Sequence, residues 1–267
     1  MRMNSAPPAK VLGVIPARWG STRFPGKPLH PIAGKALIHH VWDRCAQCEN
    51  LDAMVVATDD ERIAAAVRAF GGQVALTAPD HPSGTDRIAE VARERGEFTH
   101  VVNVQGDEPL ISPVLIDQLA QTLVGNPNCE MVTAANPMSF DDPERNDPNI
   151  VKVVLDHQSN ALYFSRSPIP FPRNPARSGG EPMVADTNTP APSLQILRHK
   201  GIYGFTRSFL LKFVDWKPSP LEMCEQLEQL RALENGAKIK VIITLDDSPG
   251  IDTPEQADIL HRQFLTE

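Results

Sequence analysis

Six short apolar runs punctuate the chain without alternating in polarity: VLGVI (11–15), MVVAT (54–58), VVNVQ (101–105), MVTAA (131–135), VKVVL (151–155) and VIIT (241–244). Runs of this length predict strands covered on both faces, as in a parallel sheet. The segments between them carry helical spacing and predict helices over 35–48, 60–70, 85–95, 112–124, 220–235 and 254–265. Strand and helix take turns along most of the chain, which is the pattern of an α/β protein with a doubly wound sheet. ALYFSR (161–166) and HKGIYGF (199–205) add two segments of strand-like aromatic and β-branched content. In such sheets ligands bind beyond the carboxyl ends of the strands. The stretch PARWGSTRFPGKPL (16–29) lies at such an end, just after VLGVI.

One segment breaks the alternation. From Ser167 to Ser193 the chain is dense in Pro, Ser, Gly and Asn, and no helix or central strand runs through such a composition. We expect a Pro-rich insertion over 167–198, serving as a lid, a dimer arm or an unstructured excursion. The rest reads as one domain over 10–267, preceded by a disordered tail over 1–9. A length of 267 residues is enough for one large domain with a subdomain.

Composition narrows the partners. A net charge of −7 argues against broad nucleic-acid binding, which needs a basic face. It leaves room for a small anion, provided that the positive charge is local. No apolar run approaches the length that spans a bilayer, and MRMNSAPPAK lacks the apolar centre of a secretory signal, so the expected compartment is the cytoplasm. Cys45 and Cys48 form a C-x-x-C late in a predicted helix, with Cys129 and Cys224 standing alone. A redox pair opens a helix after a strand and a zinc site needs a second ligand pair, so these read as reduced, partly buried thiols.

The loop at 16–29 carries the local positive charge. It fits neither common phosphate template. Five residues separate Gly20 from Gly26 where the Walker pattern has four, and Lys27 is followed by Pro28 rather than Ser or Thr, so that pattern fails; the dinucleotide G-x-G-x-x-G is absent. Its chemistry still suits phosphate. Glycines let backbone N–H groups approach an anion, Arg18, Arg23 and Lys27 offer charge-assisted bonds, and three prolines limit the freedom lost on binding. The plainer alternative is a solvated basic connection.

Three further pieces surround it. VVNVQGDEPLI (101–111) puts Asp107 just past a buried strand, where a magnesium ligand belongs; the alternative is a cap for the following helix. SPGIDTPEQADIL (248–260) places Thr253 as N-cap and Pro254 as first helical residue, leaving Asp252 outside as a second metal ligand or a turn residue. TAPDHPSGTDRIAEVA (77–92) offers a turn before a helix opening at Thr85, either to read a nucleobase edge or simply to start the helix.

Taken in order, PARWGSTRFPGKPL, VVATDDERI, PDHPSGTDRIAE, VVNVQGDEPLI, NIVKVVLD, ALYFSR, HKGIYGF, PSPLEMCEQLEQLR and IDTPEQAD resemble the 3-deoxy-manno-octulosonate cytidylyltransferase family over nearly the whole chain. The resemblance implies a Rossmann-like, glycosyltransferase-A-like fold of the nucleotide-diphospho-sugar transferase type. It implies a small dimerisation and sugar-binding subdomain, and a homodimer. The implied reaction is transfer of CMP from CTP to 3-deoxy-manno-octulosonate (Kdo) with Mg2+, feeding lipopolysaccharide assembly. Carried over by position, Arg18, Ser21 and Lys27 correspond to triphosphate contacts, with Arg23 in the same loop, and the segment from Ser83 and Gly84 to Arg87 corresponds to the cytosine-side loop. Asp107 and Asp252 correspond to magnesium ligands. Gln105, Arg166, His199, Tyr203, Glu228 and Gln229 correspond to positions around the sugar acid. The chain departs from the family pattern in its long Pro-rich segment, in the short LDDSPG connection before Ile251, and in Asp86, where glutamate is common. Two other readings stand at this level: a synthetase for a different acidic sugar, such as sialic acid or an amino-substituted Kdo, and a nucleotide-binding protein without catalysis. Retention of both carboxylates and all three loop cations argues against the second.

Overall fold

The computed structural model describes residues 8–20, 24–173 and 196–266. In chain order the elements are β1 (Val11–Pro16), β2 (Pro31–Ile32), β3 (Lys35–Ala36), α1 (Leu37–Cys45), β4 (Ala53–Thr58), α2 (Glu61–Ala69), β5 (Val74–Leu76), α3 (Gly84–Glu94), β6 (His100–Asn103), α4 (Pro113–Gly125) and β7 (Met131–Met138). They continue with β8 (Lys152–Leu155), β9 (Ala161–Ser165), β10 (Ile196–Thr206), α5 (Arg207–Asp215), α6 (Pro220–Glu225), α7 (Gln229–Glu234), β11 (Ile239–Ile243) and α8 (Pro254–Thr266).

Two compact units form. The first takes the described residues of Met1–Val132, Ile202–Asp215 and Asp246–Glu267. Its sheet is centred on β1, which pairs in parallel with β4 on one side and β6 on the other; β4 pairs in parallel with β5. Residues 203–206 of β10 close the far side, antiparallel to β6. Five of the six β1 residues are buried, which is why VLGVI shows no alternation: both faces are covered by helices. The helices earn their places by patterning. In α1, Leu37, Ile38, Val41 and Cys45 are buried, and in α4 Leu115, Ile116, Leu119, Ala120 and Leu123 are buried, each set tracing one helical stripe. Burying each such leucine or isoleucine is worth about 1.5–3 kcal/mol.

The second unit takes Thr133–Gly201 and Trp216–Leu245. Here β7 lies between β11 and β10, while β10 pairs antiparallel with β8 and β8 antiparallel with β9. The expectation of a parallel VKVVL strand is thus corrected: β8 is a hairpin strand, with its last two residues only half-buried. Lys152 fits this unit for a different reason. It is fully buried, and its ammonium donates to the carbonyls of Asp147, Ile150 and Arg166, so all three of its N–H groups are satisfied.

Two helices differ from the sequence expectation. The predicted helix over 220–235 is broken, because Gln226 adopts a left-handed conformation (φ 54°, ψ 48°) that ends α6 before α7 begins. Helix α5 follows β10 without a break; its buried Phe209, Leu210 and Phe213 give it an apolar face. Three of the four thiols, Cys45, Cys48 and Cys129, are at least partly buried as expected, while Cys224 is exposed. Cys45 is buried, and Cys48 is held at about pKa 12 by burial and by the Asp117 carboxylate. Among the described residues no helix is long and apolar enough to cross a membrane.

Candidate active site

The site is built at the carboxyl end of β1. Pro16 ends the strand, and the chain turns into a loop that closes on itself through a Trp19 carbonyl accepting the Gly26 N–H at 3.2 Å. Gly26 needs its freedom twice over: its φ is +72°, and a Cβ there would lie 2.9 Å from the Trp19 ring. The Trp19 ring also receives the Arg62 guanidinium, 3.4 Å from its centroid. Arg62 is in turn gripped by both oxygens of Asp60, the N-cap of α2, at 3.0 and 2.6 Å, and that hydrogen bonding holds the Asp60 carboxyl below its usual range. Ser21 and Arg23 lie outside the described residues.

A one-turn 3-10 helix, Lys27–Leu29, sends the Lys27 side chain inward. Its Nζ donates to Asp107 Oδ2 at 2.7 Å, to the Ile251 carbonyl at 2.9 Å and to Asp252 Oδ1 at 3.3 Å. Three distant parts of the sequence thus meet on one ammonium. The Asp107 turn sits where it does because Gly106 has no side chain: a Cβ there would lie 2.6 Å from the Pro16 carbonyl. Asp252 is fixed from both sides. The Ile251 N–H donates to the Asp107 carbonyl at 2.8 Å, and Gln256 Oε1 accepts from the backbone N–H groups of Asp252 and Thr253 at 2.6 and 3.1 Å. Thr253 Oγ1 accepts the Gln256 N–H at 3.4 Å, completing the expected helix start by a reciprocal capping box.

The third wall is the N-terminus of α3. Helix α3 begins at Gly84, with Ser83 rather than Gly84 as N-cap: its Oγ accepts the Asp86 N–H at 3.2 Å and donates to Asp86 Oδ2 at 2.7 Å. Two residues further along α3 hold the preceding loop. Arg87, with its side chain 5% exposed, pairs with Asp59 at 3.1 Å and donates to the hydroxyl of Thr77 and the carbonyl of Ala78. Glu90 accepts the Ala78 N–H at 3.0 Å and bonds His81. Burial opposes ionisation of Glu90, but these bonds keep its carboxyl below the usual range.

Together these parts enclose a cavity of about 490 Å3, lined among others by Arg18, Lys27, His81, Ser83, Gly84, Arg87, Gln105, Asp107 and Asp252. That is the size of a nucleotide-scale ligand site. Every described residue assigned from sequence to nucleotide or metal lines it, as does Gln105 from the sugar set.

The remaining sugar candidates sit elsewhere in the fold: Tyr203 on β10 in the first unit, and Arg166, His199, Glu228 and Gln229 in the second. Arg166 spends three of its five N–H groups on backbone, donating to the carbonyls of Glu225 (2.7 Å), Pro148 (2.9 Å) and Gln226 (3.2 Å). It therefore also caps the end of α6. The His199 imidazole packs edge-on against Phe164 and meets the Thr133 hydroxyl at 3.0 Å; burial pushes its pKa down to about 3. Gln229 is buried, and its Nε2 has no hydrogen-bond partner among the described residues.

Comparison with known proteins gives this geometry a family. Residues 12–239 match the family described as Cytidylyltransferase. The chain is 47% identical over 259 residues to the 3-deoxy-manno-octulosonate cytidylyltransferase of Solibacter usitatus (strain Ellin6076), covering 96% of this chain and 95% of that one. It belongs to the 3-deoxy-manno-octulosonate cytidylyltransferase family. A second member, from Pseudomonas syringae pv. tomato, is 48% identical over 252 residues, covering 93% of this chain and 96% of its own. The fold agrees with that of a solved family member, a CMP:2-keto-3-deoxy-manno-octonic acid synthetase complexed with CTP: TM-score 0.87, 38% identity, covering 97% of this chain and 99% of that one. A cytidylyltransferase from Leptospira borgpetersenii, 19% identical with TM-score 0.62 and coverages of 97% and 88%, shares the fold.

Proposed function

We infer that this chain transfers CMP from CTP to Kdo, forming CMP-Kdo and releasing pyrophosphate. The observation that carries the reading is the meeting of Lys27, Asp107 and Asp252 in one cavity that the capped N-terminus of α3 also lines. Arg18, Lys27 and, by its position in the same stretch of sequence, Arg23 supply positive charge for the triphosphate, and Ser21 a hydroxyl. Ser83 and Gly84 offer a backbone edge for the cytosine.

Asp107 and Asp252 suit Mg2+: two carboxylates converge on one cationic point, and magnesium takes few protein oxygens, leaving other positions to phosphate and water. Bound there, the ion would polarise the α-phosphate and screen its charge. The residues do the positioning. The anomeric hydroxyl oxygen of Kdo attacks the α-phosphorus in line, a new P–O bond forms, the bond to the β-phosphate oxygen breaks, and the hydroxyl proton leaves to solvent. Arg18 and Lys27 stabilise the charge that gathers on pyrophosphate.

For the acceptor, Gln105 lines the cavity, and the unpaired buried amide of Gln229 supports a role in meeting a polar ligand. Arg166 retains two N–H groups for a carboxylate or hydroxyl, and His199, Tyr203 and Glu228 complete the set. The reading carries with it a homodimer, a cytoplasmic site of action and a product destined for lipopolysaccharide assembly. Its test is an acceptor panel at fixed CTP and Mg2+: pyrophosphate release with Kdo and none with sialic acid supports it, and the reverse preference moves the acceptor assignment.

A further inference from the structure

Lys27 sits at the point that a cation between Asp107 and Asp252 would claim. An ammonium has three N–H donors, and here all three are used, on Asp107 Oδ2, Asp252 Oδ1 and the Ile251 carbonyl. The side chain is only 14% exposed, and it arrives from the rigid 3-10 turn after Gly26, in the same loop as Arg18. A lysine dedicated to phosphate would be expected to point its donors at open cavity. This one spends them on the two carboxylates assigned to the metal.

We propose that Lys27 is an internal counter-cation of the metal site: it holds Asp107 and Asp252 together while no divalent ion is bound, and the CTP triphosphate draws its ammonium away so that the ion enters with the nucleotide. The proposal rests on the reading of those two aspartates as metal ligands. Its physical content is a competition. Without CTP, a divalent ion must displace a well-bonded ammonium, so its affinity is low. With CTP, the phosphate oxygens give that ammonium new partners, and the two carboxylates become available. Nucleotide and metal then strengthen each other's binding, and by linkage the effect is mutual. Neutralising a lysine this close to both carboxylates tightens divalent binding by charge alone, so the decisive sign is the coupling: only a lysine that CTP draws away makes the wild-type gain in metal affinity on adding CTP exceed that of its variants.

The test uses the full chain and Mn2+, which is read directly by electron paramagnetic resonance and needs no turnover. Wild type, Lys27→Gln and Lys27→Met are titrated without nucleotide, each first shown to be folded by its unfolding transition. The expected result is Mn2+ binding at least about tenfold tighter in both variants than in wild type, a gain that Asp107→Asn cancels when added to Lys27→Gln. With CTP present, and the nucleotide's own chelation of the ion subtracted, wild type gains Mn2+ affinity and the Lys27 variants gain far less. Variants that bind Mn2+ no tighter than wild type overturn the proposal, while leaving the metal reading intact if CTP still tightens Mn2+ binding in wild type and Asp107→Asn abolishes it. A wild type whose Mn2+ affinity ignores CTP overturns it too, whether or not the variants fold. No Mn2+ binding by any form, even with CTP, removes the metal reading and the proposal together.

Discussion

Gly106 and the two aspartates carry the most specific residue-scale expectations. A methyl group on Gly106 would sit 2.6 Å from the Pro16 carbonyl, a backbone atom that cannot swing aside. Gly106→Ala should therefore destabilise the protein by about 1–3 kcal/mol in denaturant unfolding and, by shifting the turn that presents Asp107, cut turnover as well. Asp107→Asn and Asp252→Asn should each lower kcat by at least about a hundredfold, with stability changed by no more than about 1–2 kcal/mol, because Lys27 keeps two other acceptors in either case. Near-normal turnover at limiting Mg2+ in either variant would remove that residue as a ligand. His199 makes a prediction about pH. Burial holds its folded pKa near 3, against about 6.5 for an unperturbed histidine, so only the unfolded chain takes up that proton between the two values. Its contribution is constant above about pH 6.5 and is lost as pH falls, at up to about 1.4 kcal/mol per unit, until the folded pKa is reached. The wild-type stability curve minus that of His199→Asn should show this slope between pH 6 and 4; parallel curves would contradict it. At this scale the site was largely legible. Lys27 and Asp107 stood out because loop chemistry and a strand end declare themselves locally. Their meeting did not, since Lys27 and Asp252 are brought together only by tertiary structure. Gln256 was hidden for a different reason: as the fourth residue of a capping box, it looks like any surface glutamine.

Elements were legible where the pattern is periodic and obscure where a single backbone angle decides. The parallel strands of the first unit are legible in unbroken apolar runs, and α8 in Thr253 and Pro254. The break between α6 and α7 hinges on Gln226 at positive φ, and glutamine carries no sequence signal for that conformation. Helix α5 carries no such signal, because its FLLKFV core lacks the polar spacing that marks a helix and follows directly on a strand. The Trp19–Gly26–Arg62 stack was equally invisible, since it joins the loop to the first turn of α2 through ring geometry. It yields an element-scale prediction. Arg62→Ala leaves the cavity residues in place and removes one face of the stack, so KM for CTP should rise about two- to fivefold with kcat preserved, and the Trp19 contribution to fluorescence should change. An unchanged KM would mean that the loop holds its shape without the stack.

At the scale of the whole molecule, the nucleotide and metal candidates belong to the first unit and most of the acceptor candidates to the second. Sequence patterning foresaw an α/β fold, and the resemblance added a subdomain, yet composition alone had no means of drawing the boundary, because β7 and β10 each run from one unit into the other. Of the Pro-rich insertion expected over 167–198, residues 174–195 lie outside the described residues, and its last three residues already belong to β10, which begins at Ile196. The proposed homodimer has its own check. Phe171, Leu162 and Met223 in the second unit are 85%, 61% and 56% exposed, an apolar load that association would cover. Sedimentation should give a dimer that Phe171→Glu with Leu162→Lys weakens; a monomer at micromolar concentration would contradict it. The most direct test of the account is pyrophosphate release from CTP and Kdo, with and without Mg2+, beside ATP, GTP and UTP. The account predicts release only when CTP, Kdo and the metal are present together. Release that proceeds without Kdo or without Mg2+, or silence with all three, would contradict it.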